Sequence, residues 1–264
     1  MQKLSTEIII EQLTTALSSC QEQLQEIRQE NDAFINIAAH DLKAPLRKLA
    51  TLVDRFLQKA TKIESEALQV YSDKIFNAIT EMNSLVERLS AYAAVETDGI
   101  KFTETALSAL IKEVIEENTS LINANNATII FNELPALKIN KPQVKTVFKE
   151  LLDNAIKFKS EEEKPHIEIK SYFLSLKDKE IYNLASEKIY YKFEFIDNGI
   201  GISEALKEKI FQPFFRFHGN AGFAGSGMGL AICRKIMKNH CGFIYSVANE
   251  KNGVRMIVIF PETL

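Results

Sequence analysis

The chain has 264 residues, enough for about two domains with cores of their own. It is 46% hydrophobic and 25% charged, a globular composition that excludes wholesale disorder. A net charge of −3 gives no bulk electrostatic basis for binding nucleic acid. Cys20, Cys233 and Cys241 form no CxxC pair, so neither a zinc site nor a disulfide framework is expected, and a reducing compartment fits. No apolar run approaches the ~18 residues of a membrane span. No signal-peptide pattern opens the chain, so it reads as cytoplasmic, although a longer parent could carry a membrane segment.

Glycine marks two regions with different rules. All ten glycines lie at or beyond Gly99, and seven of them fall between Gly199 and Gly229. Residues 1–98 hold no glycine and one proline, Pro45, which predicts long helices there. The junction falls at Thr97-Asp98-Gly99, where a helix stops at glycine.

In the first region, Leu13, Leu17, Cys20, Leu24, Ile27, Asn31, Phe34 and Ala38 repeat at alternating spacings of four and three, a heptad seam that predicts a parallel coiled coil. The stripe continues through Leu42, Leu46, Leu49, Val53 and Phe56. A second runs through Leu68, Tyr71, Ile75, Ile79, Met82, Leu85, Leu89 and Tyr92. A short polar link over 59–64 predicts an antiparallel hairpin. Two helices bury too little to stand alone, so two copies are expected to form a dimeric four-helix bundle.

His40 lies about 200° from Ala38 around the helix, opposite the apolar stripe. That excludes a core histidine. Its neighbour Asp41 is able to accept a ring proton and strengthen the other nitrogen as a nucleophile. Pro45 removes one backbone amide and predicts a kink one turn away.

Beyond Ile100 helices and strands alternate. Helices are predicted over 104–124, 142–158, 203–210 and 227–240, and strands over 127–132, 166–174, 188–197, 242–248 and 254–260. The expected architecture is an α/β sandwich of helices on one mixed, mostly antiparallel sheet, making the whole chain α+β. Glu150, Asn154 and Lys157 stand at i, i+4 and i+7 on one polar helix face, a set suited to a cation, water and phosphate. Most such faces are merely solvated. Asp197-Asn198-Gly199-Ile200-Gly201 leaves a strand; the acid could accept from an exocyclic amine while the glycines let a ring lie on the backbone. Gly225-Ser226-Gly227-Met228-Gly229 opens a helix, the arrangement that cradles phosphate. Its spacing is not that of a dinucleotide-binding fold, and no Walker lysine motif occurs.

Taken in order, these segments resemble the two-component sensor histidine kinases. FINIAAHDLKAPLRKL (34–49) resembles the H-box, ELLDNAIKF (150–158) the N-box, DNGIG (197–201) the G1-box, FQPFFRF (211–217) the F-box and GSGMGL (225–230) the G2-box. The resemblance implies a coiled-coil signalling helix over 1–33, a dimerisation and histidine-phosphotransfer domain over 34–98, and an ATP-binding catalytic domain over 99–264. It implies ATP-dependent phosphorylation of His40, with Asp41 orienting and activating its ring, and onward transfer to an aspartate of a response-regulator receiver. Asn154 would ligate Mg²⁺ beside Glu150, Lys157 would meet phosphate, and Phe158 would pack on the nucleotide. Asp197 would read the adenine amine over Gly199 and Gly201. Gly225, Gly227 and Gly229 would line the triphosphate, Arg216 would approach the γ-phosphate, and 218–224 would form a lid.

One departure concerns Ala44, where phosphatase-competent relatives often carry Thr or Asn; phosphatase activity is therefore not expected. Two other classes fit parts of the pattern. A dimeric scaffold would bind ATP and transfer nothing. An ATPase or chaperone of the gyrase and heat-shock type would use Glu150 to activate water.

Overall fold

The computed structural model describes residues 45–56, 65–95, 100–216, 227–248 and 253–262, together with residues 17, 19, 21, 23 and 42. The chain divides into two compact units, Met1–Leu85 and Val86–Leu264. In the first unit, residues 45–56 are helical. A long helix, α1 (Ser65–Ala93), begins in this unit and carries its last two turns into the second. Leu52 and Ala78 are buried, whereas Leu46, Val53, Val70, Phe76 and Ile79 are exposed, Phe76 at 70%. The interhelical link over 59–64, most of the heptad seam and the 97–99 junction lie outside the described residues.

The second unit is built on a five-stranded sheet. Its strands are β2 (Thr128–Phe131), β4 (His166–Phe173), β5 (Tyr190–Asp197), β6 (Phe243–Ala248) and β7 (Val254–Pro261). The order is β2-β4-β5-β7-β6, with β2 and β4 parallel and the remaining neighbours antiparallel, so the sheet is mixed as expected. A separate antiparallel pair joins β1 (Thr103–Ala106) to β3 (Ala136–Ile139).

Helices α2 (Leu107–Glu117), α4 (Lys141–Lys157) and α6 (Gly229–Asn239) cover one face of the main sheet. Apolar positions at helical spacing supply their buried sides: Leu110, Ile111 and Val114; Val144, Val147, Phe148, Leu151 and Leu152; and Ile232, Cys233, Ile236 and Met237. These meet Ile167, Ile169, Phe193, Phe195, Val258 and Phe260, alternate residues of their strands. The Phe148 and Phe195 rings stand 5.4 Å apart between α4 and β5. On the opposite face Leu174, Tyr190, Ile257 and Ile259 form a smaller cluster, completed by Tyr182 and Leu184 from the β4–β5 connection.

Several elements differ from the sequence reading. The helix expected over 104–124 is β1, then α2, then a break at Asn118 and a short α3 (Thr119–Ala124). Asn118 is buried and its side chain donates to the Val114 carbonyl at 3.0 Å, a back-bond that competes with helix continuation. Residues 203–210 form two 3₁₀ turns, Glu204–Leu206 and Lys209–Phe211, rather than a helix. Strand β3 and the short α5 (Leu176–Ile181), which opens on a Ser175–Asp178 capping box, were not foreseen.

Candidate functional site

Helix α4 starts where the Asn140 side chain accepts the Gln143 amide at 3.0 Å, with Pro142 in the first turn. That start is buttressed by His240. Its Nε2 accepts the Asn140 amide at 3.1 Å while Nδ1 lies 2.8 Å from the Ile236 carbonyl. The ring is fully buried and edge-on to Phe102 and Phe260, and burial holds its pKa below the usual histidine value. With one nitrogen accepting and the other donating, the bond set requires a neutral imidazole.

Anchored so, α4 turns Glu150, Asn154 and Lys157 toward a cleft of about 540 Å³. Its other walls include Arg216, Gly227 and Gly229, and also Arg88 from the end of α1. Lys149 and Asp153 pair with each other at 2.5 Å, and Arg88, Lys157 and Arg216 line the cleft together with Glu150. Burial raises the Glu150 pKa, with Arg88 the strongest charge opposing the rise. Burial lowers that of Lys157, and repulsion from Arg88 and Arg216 lowers it further. A surplus of crowded positive charge is relieved by an anion. At Gly229, the first residue of α6, a side chain would collide with the Glu150 carboxylate, which therefore leans against the positive end of that helix.

A smaller cavity of about 100 Å³ adjoins this cleft and shares Asn154, Phe158, Ile210 and Leu230 with it. Ile200, Ile202, Val254 and Met256 make it apolar, and Asp197 and Gly201 also line it. The amides of Gly199 and Val254 donate to one Asp197 oxygen at 2.9 and 3.0 Å. Burial raises the Asp197 pKa and these two bonds oppose the rise. Gly253 at φ +85° packs against Asp197 so closely that a Cβ would overlap its carbonyl oxygen. Phe158 joins the two spaces: it ends α4, its carbonyl accepts the Ile200 amide at 3.0 Å, and Lys157 Nζ stands 4.5 Å from its ring centre.

Glu150, Asn154, Lys157, Phe158, Asp197, Gly201, Arg216, Gly227 and Gly229 thus surround two adjoining spaces, and Gly199 holds Asp197 from behind. His40, Asp41, Ala44, Gly225 and the 218–224 segment lie outside the described residues. Arg88, Gly253 and the apolar lining of the smaller cavity were missed. The Asn252-Gly253 pair carried a turn signal, but nothing local tied it to Asp197. The carboxylate of Glu150 and the amide oxygen of Asn154, one turn apart, are hard oxygen donors of the kind that bind Mg²⁺. Gly227 lines the same wall at φ +70°, where a side chain would collide with the Phe214–Phe215 backbone.

Residues 139–264 match the family described as Histidine kinase-, DNA gyrase B-, and HSP90-like ATPase. Cyanobacterial phytochrome A of Nostoc sp. is 28% identical over 239 residues, 90% of this chain but 29% of the phytochrome, so the chain spans under a third of that relative. The catalytic domain of histidine kinase ThkA aligns with 62% of this chain and 97% of its own length at 32% identity and a TM-score of 0.50. ThkA in complex with the response regulator protein TrrA aligns with 85% of this chain and 60% of its own at 27% identity and a TM-score of 0.59. No described helix is long and apolar enough to cross a membrane.

Proposed function

The chain belongs to the two-component sensor histidine kinases, and we propose that it acts as their kinase core, phosphorylating its own His40 from ATP and passing the phosphoryl group to a receiver aspartate. The observation that carries this reading is the union of an apolar cavity holding one oriented acid with a cation-lined cleft on a shared wall. The first suits a nucleobase and the second a polyphosphate.

In this reading Asp197 accepts the adenine amine, Phe158 and Ile200 flank the ring, and Lys157 and Arg216 hold phosphate oxygens as charge develops. Gly225, Gly227 and Gly229 present backbone to the triphosphate. Asn154 and Glu150 would hold Mg²⁺, which would supply neutralising charge to the phosphate oxygens. Neutral His40 attacks the γ-phosphorus: a nitrogen–phosphorus bond forms, the bond to the bridging oxygen breaks, and ADP leaves. Asp41 takes the proton lost from the ring.

The apolar positions Leu46, Val53, Phe76 and Ile79, exposed in a single chain, support a homodimeric helical bundle extended by the heptad seam. ThkA's capture with TrrA supports a receiver domain as the onward partner. A cytoplasmic setting, where ATP and receivers coexist, fits both.

The raised pKa of Glu150 favours one other reading, an ATPase in which this carboxylate activates water. Incubation with γ-labelled ATP tests both. Acid-labile label on the protein, lost in His40→Gln, is the expected result. Free phosphate with unlabelled protein would replace the kinase by the ATPase.

A further inference from the structure

The last two turns of α1 bring a group to the cleft that no nucleotide motif contains. Arg88, Ala91 and Val95 fall at i, i+3 and i+7, one stripe of the chain, and all three line the larger cleft with Glu150, Asn154 and Lys157. This stripe is fastened. Lys235 on α6 donates from Nζ to the Tyr92 carbonyl at 2.8 Å and stands 4.8 Å from the centre of the Tyr92 ring. An ammonium at that end of α1 satisfies a carbonyl left over by the helix and complements its dipole. Val95, just beyond, is buried. The turn that carries Arg88 is therefore seated on α6.

Arg88 is half-buried and forms no ion pair with Glu150; among the charges near them it acts most strongly on both Glu150 and Lys157. Arg88 repels Lys157 more strongly than Arg216 does, and an anion between Arg88 and Lys157 would relieve that repulsion. Guanidinium stays charged and presents a planar fork of donors matched to phosphate oxygens.

We propose that Arg88 is a nucleotide-phosphate contact whose fork engages the terminal phosphate of ATP, and that Lys235 positions it through Tyr92. The proposal rests on the assignment of the cleft to the triphosphate. It makes the end of α1 a discriminator between ATP and ADP.

Calorimetry on the full chain tests this, using ADP and the β,γ-imido analogue of ATP, each with and without Mg²⁺. Arg88→Gln is expected to weaken the analogue about tenfold, as for loss of one charge-assisted contact, and to change ADP by less than about twofold. Arg88→Lys, which keeps the charge and loses the fork, is expected to lose about threefold for the analogue alone. Lys235→Met is expected to act in the same sense more weakly, because it loosens the turn without removing the cation. Unchanged binding in both Arg88 variants, or equal losses for the two nucleotides, would overturn the proposal and leave the kinase reading standing. A wild-type chain that binds neither nucleotide would overturn both.

Discussion

The two adjoining cavities share a wall and differ in almost everything else. The smaller is lined mainly by apolar side chains and holds one acid whose orientation is set by two backbone amides. The larger brings together long cationic side chains that repel one another. Backbone holds the first in register with the fold; side chains from three distant stretches, around 88, 157 and 216, assemble the second. Under the proposed reading selectivity would be divided between them: shape and one oriented acid would choose the base, and the cleft cations the number of phosphates.

The largest expected effect breaks the first half. Asp197→Asn keeps the volume and the packing but turns a donor group toward any bound amine. ADP affinity should fall by about a hundredfold, near the upper limit for one charged hydrogen bond, and to a similar extent at low and high salt. Calorimetry at two ionic strengths checks this; a loss that vanishes in salt would place Asp197 among the electrostatic residues.

A smaller effect sharpens the second half. Raising ionic strength from ~0.05 to ~0.5 M should weaken the imido analogue several-fold while adenosine, which carries no phosphate, changes by less than about twofold. Equal sensitivity of the two ligands would mean that the cleft cations do not meet phosphate.

The smallest concerns the platform beneath both. His240 is held neutral in the fold with its pKa below the usual value, so protons bind more readily to the unfolded chain. Its contribution to stability is complete above the ordinary histidine pKa of about 6.5 and is lost as pH falls from there towards the lower folded value. Thermal unfolding of the full chain between about pH 7.5 and 5 should show this slope, and His240→Gln should flatten it. A variant that retains the slope would assign it to another group.

What the sequence revealed follows the range of the forces involved. Glu150, Asn154 and Lys157 were legible as one face because helical periodicity is local, and Pro142 marked the start of their helix. The acid and glycines of 197–201 were legible because a strand end and a turn are contiguous. Arg88 was not, since it reaches the cleft only through the seating of Tyr92 on Lys235. The break at Asn118 was hidden because a buried side-chain bond to Val114 outweighs an unbroken apolar pattern. Strand β3 has four residues, too few for alternation to register, and its pairing with β1 lies across α2.

The parallel pairing of β2 with β4, Thr128 opposite His166, carries one more consequence. Parallel neighbours cannot be joined by a tight turn; the chain must leave the sheet and return, and α4 is on that return path. Closing so long a loop is slow, because its entropy is spent before any pairing rewards it. The helix bearing Glu150, Asn154 and Lys157 lies within the loop that this pairing closes, so its final place is tied to two strands distant in sequence. A nascent or damaged chain that fails to pair these strands lacks the wall that α4 gives to both cavities.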